Sequence, residues 1–174
     1  MDLPAIDQLQ PTPGHVVMMC GVAGSGKTTC AKALEARGFV RLSIDEYIWA
    51  HFGRFDVDYP GSQYERLKQE AEEANFRMFE ALVRERTACV LDYSFWSLAK
   101  RRRYRQFVEA AGGRVTLLYL RASADVLRKR LQIRNRTRSA NAAFAIDPAT
   151  LERFVAGFEE PGVDEGAMVV AQDA

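Results

Sequence analysis

The sequence predicts an α/β fold in which five parallel strands form one sheet that is covered by helices on both faces. Two observations carry this prediction. Short apolar segments alternate with longer segments of helical periodicity along almost the whole chain. The first apolar segment leads directly into the glycine-rich stretch GVAGSGKTT, from Gly21 to Thr29, and a helical segment follows. Strands that alternate with helices run in parallel, because each helix carries the chain back to the starting edge of the sheet.

Length and composition indicate one domain. The chain has 174 residues, and its 48% of hydrophobic residues are enough for one core. The 24 lysines and arginines nearly balance the 23 aspartates and glutamates, so the overall charge does not favour a polyanionic partner. Residues 1–14 are polar and contain prolines. We therefore expect a disordered leader over residues 1–14 and a single domain over residues 15–174.

The sequence gives no indication of export or of membrane insertion. Its first residues include acids and prolines where a signal peptide carries basic and apolar residues. No apolar run approaches the length of a membrane span. Cys20, Cys30 and Cys89 lack metal-site spacing, so we expect reduced, buried thiols in a cytoplasmic protein without a membrane partner.

The predicted strands are short segments of mainly apolar residues. In chain order they are residues 15–20, 39–44, 87–92, 115–120 and 167–171. The first, HVVMMC, is largely apolar, as expected for a strand that is buried on both faces. The second is half apolar, whereas the third, TACVLD, is apolar until Asp92. The fourth, VTLLYL, and the fifth, AMVVA, complete the sheet.

The predicted helices follow from periodicity and from capping residues. In chain order they are residues 27–37, 46–52, 62–86, 97–111, 124–134 and 148–160. Gly38 ends the first, the second has at most two turns, and a continuous apolar stripe identifies the long third helix. Ser123 and Asp147 are N-caps of the last two, and Pro148 occupies a first helical position. Between these two helices the periodicity is lost, which predicts a short lid over about residues 135–147.

The stretch GVAGSGKTT fits the pattern G-x-x-x-x-G-K-[ST] at every fixed position. The residues that we expect to bind the nucleotide are Gly21, Val22, Ala23, Gly24, Ser25, Gly26, Lys27, Thr28 and Thr29. Backbone N–H groups of such a loop and the positive end of the following helix converge on phosphate. Lys27 can reach the β- and γ-phosphates, and the Thr28 hydroxyl can ligate Mg²⁺. The alternative is a glycine-rich turn that binds nothing.

Two acids follow predicted strands, at the edge of the sheet where ligands of α/β proteins bind. Asp92 ends the third strand and can hold a water of the Mg²⁺ shell, as a Walker B acid does. Asp45 follows the second strand and can accept the proton of an attacking hydroxyl. For each acid the alternative is a helix cap.

Arginines are concentrated on and around the predicted lid: Arg128, Arg130, Arg134, Arg136 and Arg138. An arginine on a closing loop can stabilise the charge that develops on a phosphoryl group in transfer. Arg138 lies deepest in the loop, whereas Arg128 and Arg130 are equally consistent with a solvated helix face. The run KRRRYR, residues 100–105, could bind a phosphorylated substrate, but we favour the interpretation that its arginines face water.

These motifs resemble those of the small P-loop kinases of the AAA-type ATPase-like superfamily, which includes polynucleotide kinases, chloramphenicol phosphotransferase and zeta toxins. The resemblance rests on GVAGSGKTT, LSIDEY, VLDYSFW and RLQIRNRTRSANAAFAIDPATLERF. It implies the P-loop NTPase fold with sheet order 2-3-1-4-5. It also implies that Asp45 is the general base, that Arg138 is the lid arginine on the phosphates, and that Arg134 lies near the adenine or its phosphates.

The first functional hypothesis is an ATP- and Mg²⁺-dependent kinase that phosphorylates a hydroxyl of a nucleoside-like or antibiotic-like small molecule. Residues 47–64 and 93–96 would line the acceptor side. Their aromatic residues suit a flat ring, and they suit an ordinary core almost as well: Tyr47, Trp49, Phe52, Phe95 and Trp96. The second hypothesis is a polynucleotide 5′-hydroxyl kinase, which the balanced charge makes less favoured. The third is an ATPase or GTPase switch. Tyr93 after Asp92 argues against the ATPase, because a hydrolytic site usually has a glutamate there, and no N-K-x-D segment supports a GTPase.

Overall fold

The computed structural model describes residues 4–136, 140 and 144–172. Its five strands form one parallel sheet with the order β2-β3-β1-β4-β5. The strands are β1 (His15–Cys20), β2 (Val40–Leu42), β3 (Cys89–Leu91), β4 (Arg114–Arg121) and β5 (Met168–Ala171). The predicted α/β class and the sheet order that the resemblance implied are therefore confirmed.

Seven α-helices are present among the described residues. They are α1 (Pro4–Asp7), α2 (Lys27–Glu35), α3 (Ile44–Phe52), α4 (Tyr64–Arg84), α5 (Leu98–Ala110), α6 (Ala124–Arg134) and α7 (Pro148–Gly157). The predicted caps Ser123 and Asp147 accept hydrogen bonds from backbone N–H groups in the first turns of α6 and α7. Helix α3 is longer than predicted because Ser43 caps it, and this cap also ends β2 early.

The two faces of the sheet are covered by different helices. On one face, Val16, Met18 and Cys20 of β1 belong to a cluster that includes Phe79 of α4 and Tyr104 of α5. On the other face, the alternate strand residues Val17 and Met19 pack with residues of α2. Because side chains alternate along a strand, one short apolar segment supplies both cores.

The N-terminal segment differs from the expected disordered leader. Ile6 and Leu9 are buried in the cluster that also holds Leu34 of α2. The backbone carbonyl of Gln10 contacts Nδ1 of the buried His15 side chain at 2.8 Å. The expectation is therefore wrong for this part of the segment, because two apolar side chains among its prolines pack into the core that α2 shares with the sheet. Residues 1–3 lie outside the described residues.

The three cysteines are buried and none forms a disulfide, as expected. Burial raises the pKa of the Cys20 thiol to about 11, which keeps it protonated at neutral pH. In the described ranges, no helix combines the length and apolar character that crossing a membrane requires.

Candidate active site

A cleft of about 640 Å³ opens at the carboxyl ends of the strands, the position where sheets of this kind bind ligands. The loop between β1 and α2, the start of α3, the segment after β3 and the end of α6 contribute to its lining. The predicted site residues in this lining are Ala23, Gly24, Gly26, Lys27, Thr28, Thr29, Asp45, Asp92 and Arg134. Gly21, Val22 and Ser25 are buried.

The shape of the loop explains why glycine occupies its ends. Gly21 has a φ of 141°, and a Cβ there would lie 2.7 Å from the Leu120 carbonyl oxygen. Gly26 has a φ of 95° and is the N-cap of α2. Side chains rarely adopt such backbone conformations. The glycines thus let the chain turn tightly and direct the N-terminus of α2 to the cleft, where its free N–H groups can bind an anion.

Lys27 is the first residue of α2 and lies over the loop. Its Nζ donates a hydrogen bond to the Val22 carbonyl oxygen at 2.9 Å. Burial lowers the pKa of Lys27 to about 8, although the carboxylates of Asp92 and Asp45 favour its charged form. A phosphate beside the amino group would raise this pKa again, because a nearby negative charge stabilises the ammonium form.

Thr28, the predicted Mg²⁺ ligand, and Asp92, predicted to hold a water of the Mg²⁺ shell, are neighbours in the structure. The Thr28 hydroxyl donates to Oδ1 of Asp92 at 3.3 Å, and Arg41 donates to Oδ2 of the same carboxylate at 3.0 Å. Burial raises the pKa of Asp92, and the Arg41 and Lys27 charges oppose that rise. Thr28 and Asp92 could be predicted from the sequence, whereas Arg41 could not.

Asp45 lies in the first turn of α3, and its side chain is accessible from the cleft. Ser43, not Asp45, caps this helix, just as Ser97 rather than Asp92 caps α5. The pKa of Asp45 is raised, first because the surrounding protein removes water from its carboxylate and second because the Asp92 charge repels it. Lys27, Arg134 and Lys68 act in the opposite direction. Asp45 is thus a carboxylate that lies close enough to Lys27 to be affected by its charge.

The arginines near the predicted lid have different environments. Arg134 ends α6 and lines the cleft, where burial lowers its pKa and the Asp45 charge opposes that change. Arg130 also lines the cleft and donates to the Gln172 side chain at 3.3 Å. Arg128 is exposed and pairs with Asp125, in agreement with a solvated face. Arg138 lies outside the described residues, together with residues 137, 139 and 141–143 of the predicted lid.

The interpretation of the KRRRYR run is wrong for Arg101. Its side chain is only 2% exposed and forms an ion pair with Glu165 at 2.6 Å. It also donates to the backbone carbonyls of Phe95, Trp96 and Glu159. Arg101 is buried because it shares one face of α5 with the core residues Tyr104 and Val108. That spacing of three and seven residues was present in the sequence and could have revealed it.

The aromatic wall of the cleft differs in part from the prediction. Phe95 and Trp96 contribute to the lining, as predicted. Tyr64, at the end of the predicted range 47–64, also lines the cleft, and Phe144 and Phe154 join these residues. By contrast, the described lining does not include Tyr47, Trp49 or Phe52. Tyr47 and Phe52 instead pack around the buried Ile48 side chain.

The sheet order, the glycine loop that leads into α2, and the Thr28–Asp92 pair that joins α2 to the end of β3 define a kinase-like P-loop domain. Comparison with known families agrees with this class. The chain belongs to the AAA domain family, which matches residues 16–161. Membership implies nucleotide binding, and the predicted resemblance to small P-loop kinases is confirmed.

Solved structures of kinases share this fold. A candidate kinase from Chloroflexus aurantiacus is 20% identical with a TM-score of 0.66, and the match covers 93% of this chain and 88% of that chain. A gluconokinase from Sinorhizobium meliloti is 21% identical with a TM-score of 0.60, over 94% and 84% of the two chains. A chain of the Pnkp1/Rnl/Hen1 RNA repair complex is 21% identical with a TM-score of 0.62, over 87% of this chain and 45% of that one. No curated protein matches the chain.

Proposed function

We propose that this protein is an ATP-dependent kinase that transfers the γ-phosphate to a hydroxyl group of a small molecule. The observation that carries the proposal is that one cleft contains the glycine loop with Lys27, the Thr28–Asp92 pair and a separate carboxylate, Asp45. The first two features serve nucleotide binding in many P-loop proteins, whereas an additional base beside them suits an acceptor hydroxyl.

The residues around the loop fit ATP and Mg²⁺. The loop N–H groups and Lys27 would hold the phosphates, with Arg134 at the side of the cleft. Among the described residues, no group of three or more His, Cys, Asp or Glu could hold a metal ion by itself. Mg²⁺ does not need such a group, because it commonly takes one or two protein oxygens together with phosphate and water. Thr28 and Asp92 supply that donor set, and the bound ion would neutralise phosphate charge.

Asp45 would act on the acceptor. As the acceptor oxygen bonds to the γ-phosphorus, the bond between that phosphorus and the bridging oxygen breaks and ADP leaves. Asp45 would accept the proton of the attacking hydroxyl, so the new phosphate ester and ADP carry no excess proton. A raised pKa makes this carboxylate a stronger base than an ordinary surface aspartate. Lys27 would stay on the phosphates through the transfer.

The aromatic wall of the cleft, formed by Tyr64, Trp96, Phe144 and Phe154, favours a neutral acceptor with a flat ring. A nucleoside-like or antibiotic-like compound is such an acceptor. Two lysines in this wall already have carboxylate partners, since Lys100 pairs with Glu72 at 3.3 Å and Lys68 pairs with Glu65 at 3.7 Å. The nearby carboxylates reduce the positive charge that these lysines present to an anionic acceptor. The partly exposed rings of Tyr64, Trp96 and Phe154 offer apolar faces instead.

The test is phosphate transfer from γ-labelled ATP. Pools of neutral nucleosides, antibiotics, sugar acids and 5′-hydroxyl oligonucleotides are incubated separately with the wild type and with Asp45→Asn. We expect label in a pool of neutral ring compounds, and far less with the variant. Release of inorganic phosphate at a rate that no pool alters would favour an ATPase and contradict the proposal.

A second candidate is a polynucleotide 5′-hydroxyl kinase. It is supported by the shared fold with a chain of an RNA repair complex and by the lid-like sequence after Arg134. Polynucleotide binding requires cations that are available to phosphates, so its signature is a steep loss of transfer as salt rises. Label in the oligonucleotide pool, with that salt dependence, would favour this candidate.

A further inference from the structure

Arg41 contacts three carboxylates from the centre of β2. Its side chain is 5% exposed. Nε donates to Glu35 at 3.0 Å, Nη1 donates to Asp92 at 3.0 Å, and Nη2 donates to Glu46. Glu46 also pairs with Lys32 of α2 at 3.3 Å. The guanidinium therefore joins α2, α3 and the end of β3 behind the glycine loop.

The two oxygens of Asp92 have different partners. Oδ2 accepts from Arg41, and Oδ1 accepts from the Thr28 hydroxyl. The Asp92 side chain is only 2% exposed, so it has little access to water. Because a carboxylate held at both oxygens cannot rotate freely, Oδ1 stays directed to Thr28, the side on which the metal ion would bind.

Arg41, and not Lys27, is the cation that pairs with Asp92. Among nearby charges, that of Asp92 has the largest effect on the pKa of Lys27. Nζ of Lys27 nevertheless donates its hydrogen bond to the Val22 carbonyl oxygen and not to Asp92. Of these two cations, Arg41 is the one that donates a hydrogen bond to Asp92. An arginine suits this position because its donors lie in a fixed planar fork on three separate nitrogens, and each of the three carboxylates accepts from a different one, whereas an ammonium group has all its donors on one nitrogen.

We propose that Arg41 is a positioning residue for the magnesium ion: it fixes Asp92 so that Oδ1 and the Thr28 hydroxyl together form the metal side of the nucleotide site. This proposal rests on the proposed function, since it requires Mg²⁺ and ATP to bind at the glycine loop. A purely structural Arg41 would instead join β2 to α2 and α3 without any specific effect on the metal.

The experiment is calorimetric titration of ATP into the full chain, with excess Mg²⁺ and again with EDTA. For Arg41→Met we expect the magnesium-dependent gain in ATP affinity to fall by about tenfold, as for other groups that orient a metal ligand. The affinity in EDTA should change by less than about twofold, because the loop and Lys27 are untouched. Arg37→Met is the matched control, since Arg37 pairs with Asp7 at 2.8 Å, away from Asp92.

A double-mutant cycle tests whether Arg41 acts through Asp92. The variant that combines Arg41→Met with Asp92→Asn should lose no more of the magnesium-dependent gain than Asp92→Asn alone. Losses that multiply in the double variant would overturn the proposal. So would an equal loss of ATP affinity with and without Mg²⁺, which indicates a structural role.

Arg41→Lys keeps the charge but not the fork, and it should recover only part of the magnesium-dependent gain. Full recovery would mean that charge alone suffices, and the positioning argument would fail. If circular dichroism shows that Arg41→Met is unfolded, the Lys variant supplies the comparison. A wild type that binds no ATP under either condition would refute the proposed function itself. A wild type that binds ATP, with an Arg41→Met variant that retains the full magnesium effect, would refute only the role of Arg41.

Discussion

Arg101 and Glu165 form a buried ion pair between residues that are 64 positions apart, with contacts of 2.6 and 2.8 Å. The pair joins the start of α5 to the segment that precedes β5. Arg101 also donates to the carbonyls of Phe95 and Trp96, two residues that line the cleft. This buried ion pair is therefore hydrogen-bonded to the backbone of residues in the part of the cleft that we propose binds the acceptor.

Removal of this pair should destabilise the fold. We expect Arg101→Met to lower the free energy of unfolding by about 3–5 kcal/mol, because it leaves the Glu165 charge and several carbonyls without their donor. Urea denaturation followed by circular dichroism measures the change. Arg102→Met is the control, since the pair that Arg102 forms with Asp164 at 3.8 Å is exposed, and its loss should change stability by about 0.5 kcal/mol or less. Equal losses in the two variants would refute the assignment.

Replacement of Lys27 should abolish phosphate transfer. Lys27→Ala removes the positive side chain that lies over the loop, so the transferred phosphoryl group loses its fixed cation. We expect kcat to fall by much more than tenfold, which corresponds to more than about 1.4 kcal/mol of transition-state stabilisation. Lys129→Ala, an exposed lysine of α6, is the control. A Lys27→Ala enzyme that keeps over a tenth of the wild-type rate would place the chemistry elsewhere.

Replacement of Asp45 distinguishes a kinase from an ATPase. Asp45→Asn keeps the size of the side chain but loses the basic oxygen, so transfer to the acceptor should fall by ~10²-fold or more. ATP affinity should barely change, because the loop binds the phosphates. The rate is measured with the acceptor found in the labelling experiment, and Asp164→Asn, an exposed acid, is the control.

The pH dependence provides a check on the same residue. The pKa of Asp45 is raised, so the wild-type rate should decline as the pH falls through that raised pKa and the base becomes protonated. In Asp45→Asn this acid limb should be absent from the residual rate. A wild-type rate of normal size in Asp45→Asn, with the same acid limb, would exclude Asp45 as the base.

ATP binding should take up protons above neutral pH. Burial lowers the pKa of Lys27 to about 8 in the free protein, so at a pH above 8 most of its amino groups are neutral. Bound phosphate favours the ammonium form, and a proton must therefore be gained on binding. Calorimetry at such a pH in two buffers of different ionisation enthalpy measures this uptake. The same comparison with Lys27→Met should show almost none, whereas an unchanged uptake would assign it to another group.

The sequence was most informative where chemistry depends on local spacing. The glycine loop fixes Lys27 and Thr28 within a few residues, and parallel strands bring Asp92 to the same edge of the sheet. The position of Asp45 followed in the same way, because it comes just after β2. The order of the strands depended on the resemblance to known kinases, since periodicity alone does not specify which strands are neighbours.

The sequence was least informative where charged residues have distant partners. Arg41 and Asp92 are 51 positions apart, and nothing in FVRLSI distinguishes a buried arginine from an exposed one. The packing of Ile6 and Leu9 on α2 was hidden for a similar reason, because two apolar residues among prolines form no periodic pattern. Each of these contacts depends on the completed fold.

The location of Trp96 gives the molecule an intrinsic optical signal. The chain has two tryptophans, and Trp96 lines the cleft with its ring 5.0 Å from that of Phe154, whereas Trp49 is not in the described lining. Indole emission responds to local polarity, so an acceptor that displaces water from this wall should shift the fluorescence of Trp96. With Trp49 replaced by phenylalanine, the emission would report on Trp96 alone. Unlabelled compound collections could then be screened by light before any phosphate transfer is detected.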